Sequence, residues 1–524
     1  SEGKAGFLGG SSYHPSLLWA LEMLAWHPNY LSQSALLLAK LSRLDPGGNL
    51  GNRPPATLRG VFLGWYPQTT ASLDKRLQAI DVLRRHEPDA AWNLMVSLLP
   101  QMHSVGHPSS KPRWREWNIP SEPAATYADI WKLTEFLVDR MLADVGASAE
   151  KWRALLGSLG QLPKPQHEAI VETLKKLNIK SFSSDAQIQV WTTLRKVIAR
   201  HREFSDADWA MPRETTDELE NIYEKFSPSD VIPLYSWLFK YSVELLNPPG
   251  DWENWQEREE IVKGYRTEAL TKIYGVGGVD DLLSFAESLD EPQHAGFLVG
   301  QLNMLGTGDT DAILDGYLDS EIIPRNRFAL GLVSGLFQTQ GWGWASKKFE
   351  ERFADWGVTQ RSNFVASLSF EAQAWDLLES INDIETERDY WSRIIPGYNK
   401  SDDFERPARK LMEQKRPQFA VDFLARRTYE KELVVPPALA LDVLEALVTV
   451  TAELQISWNN IGHDVTRLMT VVRTSDELDE ARIAQLEFLI FPLLENYGDG
   501  PKLLHKHLAR DPAFFAELIR MVFR

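Results

Sequence analysis

The chain contains no cysteine. Disulfide cross-links and thiolate zinc sites are therefore excluded, and the composition suits a reducing compartment, so a cytoplasmic location is expected. Basic residues are also in short supply: 56 Lys and Arg stand against 73 Asp and Glu, a net charge of −17. A nucleic-acid or anionic-membrane binder needs clustered cations to displace counterions or to meet headgroup charge, so neither is an expected partner. No apolar run reaches the roughly 20 residues of a membrane-spanning helix. Even the greasy stretch Leu17–Leu44 is interrupted by Trp19, Glu22 and His27. Residues Ser1–Gly10 lack the basic start and apolar core of a signal peptide. A first residue other than Met, with an uncapped amphipathic segment at Phe514–Arg524, leads us to expect a piece of a longer protein. Strand patterns are scarce, and Glu432-Leu433-Val434-Val435 is the best candidate.

Catalytic signatures are missing as well. There is no phosphate-binding loop of the G-x-x-x-x-G-K-[ST] type. The compact glycine clusters Gly275-Val276-Gly277-Gly278 and Gly306-Thr307-Gly308 follow no predicted strand and read as inter-helix turns. Gly331-Leu332-Val333-Ser334-Gly335 has the wrong spacing for a nucleophile elbow and reads as helix interior. His103 with His107, and His505 with His507, lack the third ligand that a zinc centre requires. His463-Asp464 echoes the pair used by metal-dependent phosphohydrolases, without further His and Asp ligands to complete it. Paired acids such as Asp280-Asp281 and Asp402-Asp403 read as helix starts favoured by the dipole. No cofactor or metal is expected, and the chain is read as a non-enzyme.

What the sequence does carry is helical punctuation. Leu17, Leu18, Leu21 and Leu24 form a stripe between Pro15 and Pro28, and a second helix, Tyr30–Leu44, stops at Asp45-Pro46-Gly47-Gly48. Ile130, Leu133, Leu137 and Met141 share a face, with Gly146 where a C-terminal cap belongs, and Leu219, Ile222, Tyr223 and Phe226 repeat the pattern. Capping boxes are expected at Thr215 with Glu218 and at Thr474 with Glu477. Pro417, Pro437, Pro501 and Pro512 open short helices, because a proline in the first turn loses no hydrogen bond. Asp402–Thr428 resembles one tetratricopeptide-type helix pair, Ala408, Leu411 and Met412 facing Ala420, Phe423 and Leu424. No fixed 34-residue spacing repeats it. The predicted fold is all-α: an irregular α-solenoid of stacked helix pairs, tetratricopeptide- or HEAT-like.

The N-terminal quarter resembles a known family. Leu17-Leu18-Trp19-Ala20-Leu21-Glu22, Asn52-Arg53-Pro54, Phe62-Leu63-Gly64-Trp65-Tyr66-Pro67-Gln68-Thr69, Trp92-Asn93-Leu94 and Arg113-Trp114-Arg115-Glu116-Trp117 are similar to the helical region downstream of the nucleotide-binding module in large bacterial STAND-type NTPases. Some of those proteins act in antiviral defence, where C-terminal helical repeats sense a foreign protein and the ATPase module oligomerises. The likeness covers roughly Leu17–Trp117. It implies that the ATPase and effector parts lie outside these 524 residues, since the phosphate-binding loop is missing.

Three segments are expected: an N-terminal helical subdomain (1–120), a middle one (121–250) and a C-terminal repeat region (251–524). The first boundary is drawn in the long loop His103–Pro123 and the second at Pro248-Pro249-Gly250. Within the first loop, Arg113, Trp114, Arg115 and Trp117 interleave cations with indoles, the pattern of a stacking or carboxylate-binding patch. The expected role is a non-catalytic protein-binding or sensor module, with oligomerisation belonging to the full-length context. The rival reading is a helical metal-dependent hydrolase without a recognisable motif.

Overall fold

A chain whose apolar residues recur every three to four positions must pair helix with helix to hide them, and the computed structural model does so throughout. It describes residues 14–45, 47, 52–112, 125–249, 254–397, 403–429, 434–454, 461–491, 494 and 500–522. Among the described residues there is no β-strand, and no helix is long and apolar enough to cross a membrane. The strand candidate at 432–435 lies partly outside them, and its described part, Val434-Val435, is irregular.

The chain divides into two compact units, residues 1–264 and 265–524. The first holds α1 (His14–Ala25), α2 (Leu31–Arg43), α3 (Pro54–Phe62), α4 (Leu73–His86) and α5 (Pro88–Leu98). It continues through α6 (Tyr127–Asp144), α7 (Ala149–Ser158), α8 (Lys164–Lys176), α9 (Ser184–Glu203), α10 (Arg213–Lys225) and α11 (Val231–Tyr235). The division falls within α12 (Trp255–Glu287). The second unit holds α13 (Pro292–Gln301), α14 (Thr307–Tyr317), α15 (Ile323–Arg352), α16 (Val358–Ala366), α17 (Ala372–Ser380) and α18 (Ile384–Arg393). It ends with α19 (Glu405–Glu413), α20 (Pro417–Arg427), α21 (Pro437–Leu454), α22 (Gly462–Arg473), α23 (Glu480–Leu489), α24 (Lys502–Leu508) and α25 (Pro512–Val522).

Each unit is wired locally. In the first, α1 packs on α2 and α3, α2 on α4, α4 on α5 and α6, α6 on α8, α7 on α9 and α9 on α10. In the second, α16 packs on α18, α19 on α20 and α21, α20 on α22, α21 on α23, and α23 on α24. Helices that bury their stripes only against near neighbours in sequence form the irregular solenoid that the pattern predicts. In the first unit the stripes merge into one apolar core running from Leu18 to Phe226. That unit contains both 1–120 and 121–250, and α6 packs on α4 and α5 between them.

The punctuation reads out in detail. α20, α21 and α25 begin at Pro417, Pro437 and Pro512, and Pro501 stands just before α24. Gly146 takes φ +50 after α6, where an L-residue would be strained. Ala408, Leu411, Ala420, Phe423 and Leu424 are buried between α19 and α20. Both expected capping boxes are absent. Thr215 lies inside the first turn of α10, because Pro212, with φ fixed at −54°, starts the helix earlier. Thr474 closes α22 instead of opening a helix, and α23 is capped by Asp479, whose carboxylate accepts from the Ala481 N–H at 3.0 Å. A capping box does open α6, where Thr126 Oγ1 accepts from the Asp129 N–H and Asp129 Oδ2 from the Thr126 N–H, each at 3.1 Å.

α13 crosses α15 with the two backbones in close approach. A Cβ on Gly296 or Gly300 would stand 2.1 or 2.4 Å from the carbonyl oxygens of Phe328 and Leu332. One on Gly331 or Gly335 would stand 2.2 or 2.0 Å from those of Gln293 and Phe297. Glycine at all four positions lets the two backbones touch. The glycine-rich segment Gly331–Gly335 is thus helix interior, as its spacing implies.

Candidate functional site

A dense polar construction in the first unit surrounds α1 and α3. Trp26 ends the first helical segment fully buried, and its indole N–H donates to Ser109 Oγ at 3.2 Å. Lys111 Nζ sits 4.7 Å above the same ring, a cation–π contact. Glu22, one turn earlier on α1, is buried although charged side chains rarely are. Its two oxygens are both used: Thr57 Oγ1–H of α3 donates to Oε1 at 3.1 Å and the Ser110 N–H to Oε2 at 2.8 Å. Gln68, wholly buried, accepts from the Ser109 N–H at 2.9 Å and donates to the Tyr66 carbonyl at 3.2 Å. Thr69 and Thr70 donate to the Ala25 and Trp26 carbonyls at 2.7 and 2.8 Å, joining the Gln68-Thr69-Thr70 turn to the end of α1.

Arg59 of α3 completes the frame. Its guanidinium donates to the Ser97 carbonyl at 3.1 Å, the Val105 carbonyl at 3.0 Å and Ser104 Oγ at 2.6 Å. Gly106 lies so close to Leu63, Trp65 and Tyr66 that a Cβ there would meet Trp65 at 2.8 Å. Residues 101–112, a loop by sequence, are therefore a strap fastened to α1, α3 and the 63–70 turn. Polar groups without alternative partners are satisfied by this fastening, which makes the strap part of the fold.

Between the strap and the two helices lies a groove of about 1230 Å³, lined by Trp19, Glu22, Asn52, Thr57, Arg59 and Lys111 among others. Trp19 is 49% exposed on its wall. The walls combine an exposed indole, a guanidinium, an ammonium and backbone groups. That set suits recognition of a polypeptide surface, in which Trp and Arg carry a disproportionate share of binding energy.

The four residues that the sequence singles out, Arg113, Trp114, Arg115 and Trp117, lie outside the described residues. The last described neighbours before them, Lys111 and Pro112, line the groove. Arg59 and Gln68 carry no local signal of their role: one is an unremarkable helical arginine and the other a turn residue, and only the tertiary fold brings the strap to them. Of the other candidates, His103 and His107 are exposed on the strap. His463 meets Tyr429 OH at 2.9 Å through Nε2, and the neighbouring Asp464 carboxyl is held above the usual carboxylate range by burial and by Asp422. His507 Nε2 lies 3.7 Å from Glu480. Among the described residues, no group of His, Asp and Glu is arranged to hold a metal ion. No family model matches the chain, and no curated protein or solved structure does either.

Proposed function

We propose that this chain is a non-catalytic recognition module that binds a protein partner in the groove between α1, α3 and the strap 101–112. The observation that carries the reading is the exposure of Trp19 on the wall of a groove whose floor is fixed by the buried Glu22 and its two neutral donors. A rigid floor lowers the ordering cost of association, and an aromatic anchor at its edge supplies area with few rotatable bonds. The resemblance of Leu17–Trp117 to the helical region of bacterial STAND-type NTPases supports a sensor role, in which capture of a foreign protein in the cytoplasm biases an oligomerising ATPase module.

The test places a photo-crosslinking amino acid at position 19 and compares capture with that of the same chain carrying the probe at Tyr241, which is 99% exposed in the same unit. One discrete protein, captured at position 19 alone and bound at least about tenfold more weakly by Trp19→Asp, is the expected result. A partner that binds Trp19→Asp undiminished removes the groove from the proposal.

A further inference from the structure

A second cavity of the first unit shares Ala56 and Arg59 with the groove and has a volume of about 630 Å³. That size falls in the range of small-molecule sites. Its apolar lining includes Pro55, Ala90 and the buried Leu58 and Leu94, from α3 and α5. Its formal charges are two arginines, Arg43 and Arg59, and two carboxylates, Glu87 and Asp89. Arg43 is paired with Glu87 at 3.2 Å, so those two cancel. Asp89 stands exposed. Arg59 reaches the cavity with all three of its hydrogen bonds given to neutral acceptors, and among the described residues it forms no ion pair with Asp89 or any other carboxylate. A guanidinium has five donors in a planar fork, so two N–H groups, on a charge that no close ion pair takes up, are left for something else.

We propose that this cavity binds a small amphipathic carboxylate, its chain lying on Leu58, Ala90 and Leu94 and its head group meeting Arg59. The pairing has a physical motive. An arginine held in place by protein carbonyls has already given up its rotamer freedom, so a carboxylate gains a charge-assisted bond at little further ordering cost. The apolar wall adds affinity with each buried methylene. The cavity shares Arg59 with the groove, but carboxylate binding needs no protein partner there and is tested on the chain alone.

Calorimetric titration of the full chain with octanoate, 1-octanol and octylamine tests it. Saturable one-to-one binding of octanoate is expected, with 1-octanol and octylamine at least about tenfold weaker. Arg59→Gln should weaken octanoate by a similar factor. Because Arg59 also fastens the strap, Ala90→Phe provides a second variant, which fills the cavity without touching those bonds and should abolish octanoate binding. Equal affinity for 1-octanol, binding that survives Ala90→Phe, or no saturable octanoate binding would each overturn the proposal.

Discussion

Single side chains in this protein settle their charge by ion pairs, by neutral donors or against aromatic faces, and His201 instead gives its charge up. It is buried on α9, its Nδ1 accepts from the Met211 N–H at 3.1 Å, and its ring packs edge-on to Trp209 at 5.3 Å. Burial first, then the charges of Arg200 and His167, push its pKa down from 6.5 to about 4. His167, also lowered by burial, has the same sign. The unfolded chain therefore binds a proton at His201 below pH 6.5 while the folded chain refuses it until about pH 4. Stability from this group is complete above the unfolded value and is lost as pH falls through that window, by up to about 1.4 kcal/mol per pH unit. Denaturant melts of His201→Asn, which keeps an acceptor for Met211, should show a flatter profile between pH 6.5 and 4 than the parent; identical profiles would assign the acid sensitivity elsewhere. Arg195 lies against aromatic faces, its guanidinium 4.0 Å from Trp237 and 5.0 Å from Trp191, with Glu244 as its ion-pair partner at 3.7 Å. Neither residue is legible in sequence. A histidine or arginine on a helix face looks solvated until the tertiary fold shows what covers it, and the same is true of Glu22 and Arg59 in the groove. The sequence pointed instead to Arg113, Trp114, Arg115 and Trp117, which lie outside the described residues, while Trp19 stood out only as an interruption of an apolar stretch.

At the scale of elements, periodicity and punctuation carried most of the fold. Leu133, Leu137 and Met141, or Leu219, Ile222 and Phe226, are buried as their spacing requires, and prolines mark helix starts because φ is already set. What escaped was competition between neighbouring signals. Thr215 has the right partner for a capping box, but Pro212 starts the helix before it. The 101–112 strap reads as a spacer in sequence because its fastening joins strap backbone groups and short side chains, Ser104 and Ser109, to residues 41 to 88 positions away. Glycine was ambiguous for a related reason. Gly341 breaks α15 with φ +69 and ψ −166, a region open to glycine alone, whereas Gly331 and Gly335 in the same helix are needed for close approach. These roles separate experimentally. Gly335→Ala forces a methyl against the Phe297 carbonyl, a clash only backbone movement relieves, and should cost about 1–3 kcal/mol in a chemical melt. Gly308→Ala, on α14 with nothing within 4 Å, should be neutral or slightly stabilising. A Gly335→Ala melt matching that of Gly308→Ala would mean that α13 and α15 do not cross as closely as described.

For the whole molecule, the consequence of local wiring is that damage should stay local. A compact single-core protein loses all its parts together, but helices that pack on neighbours one to three places away in sequence pass strain only to those neighbours. The first unit's core runs continuously from Leu18 to Phe226, and the second unit has its own packing from α13 to α25. Hydrogen exchange on Gly335→Ala should therefore lose protection first in α13 and α15, then in α14 and α16, which pack on α15 or follow it directly. The amides of α4, α5 and α9 in the first unit should exchange at the parent rate. A core substitution there, Leu137→Ala on α6, should give the converse pattern, with a cost of about 2–5 kcal/mol falling on α4, α5 and α8. If either variant lowers protection uniformly across all 524 residues, the two units fold as one cooperative body and the local picture of the array fails.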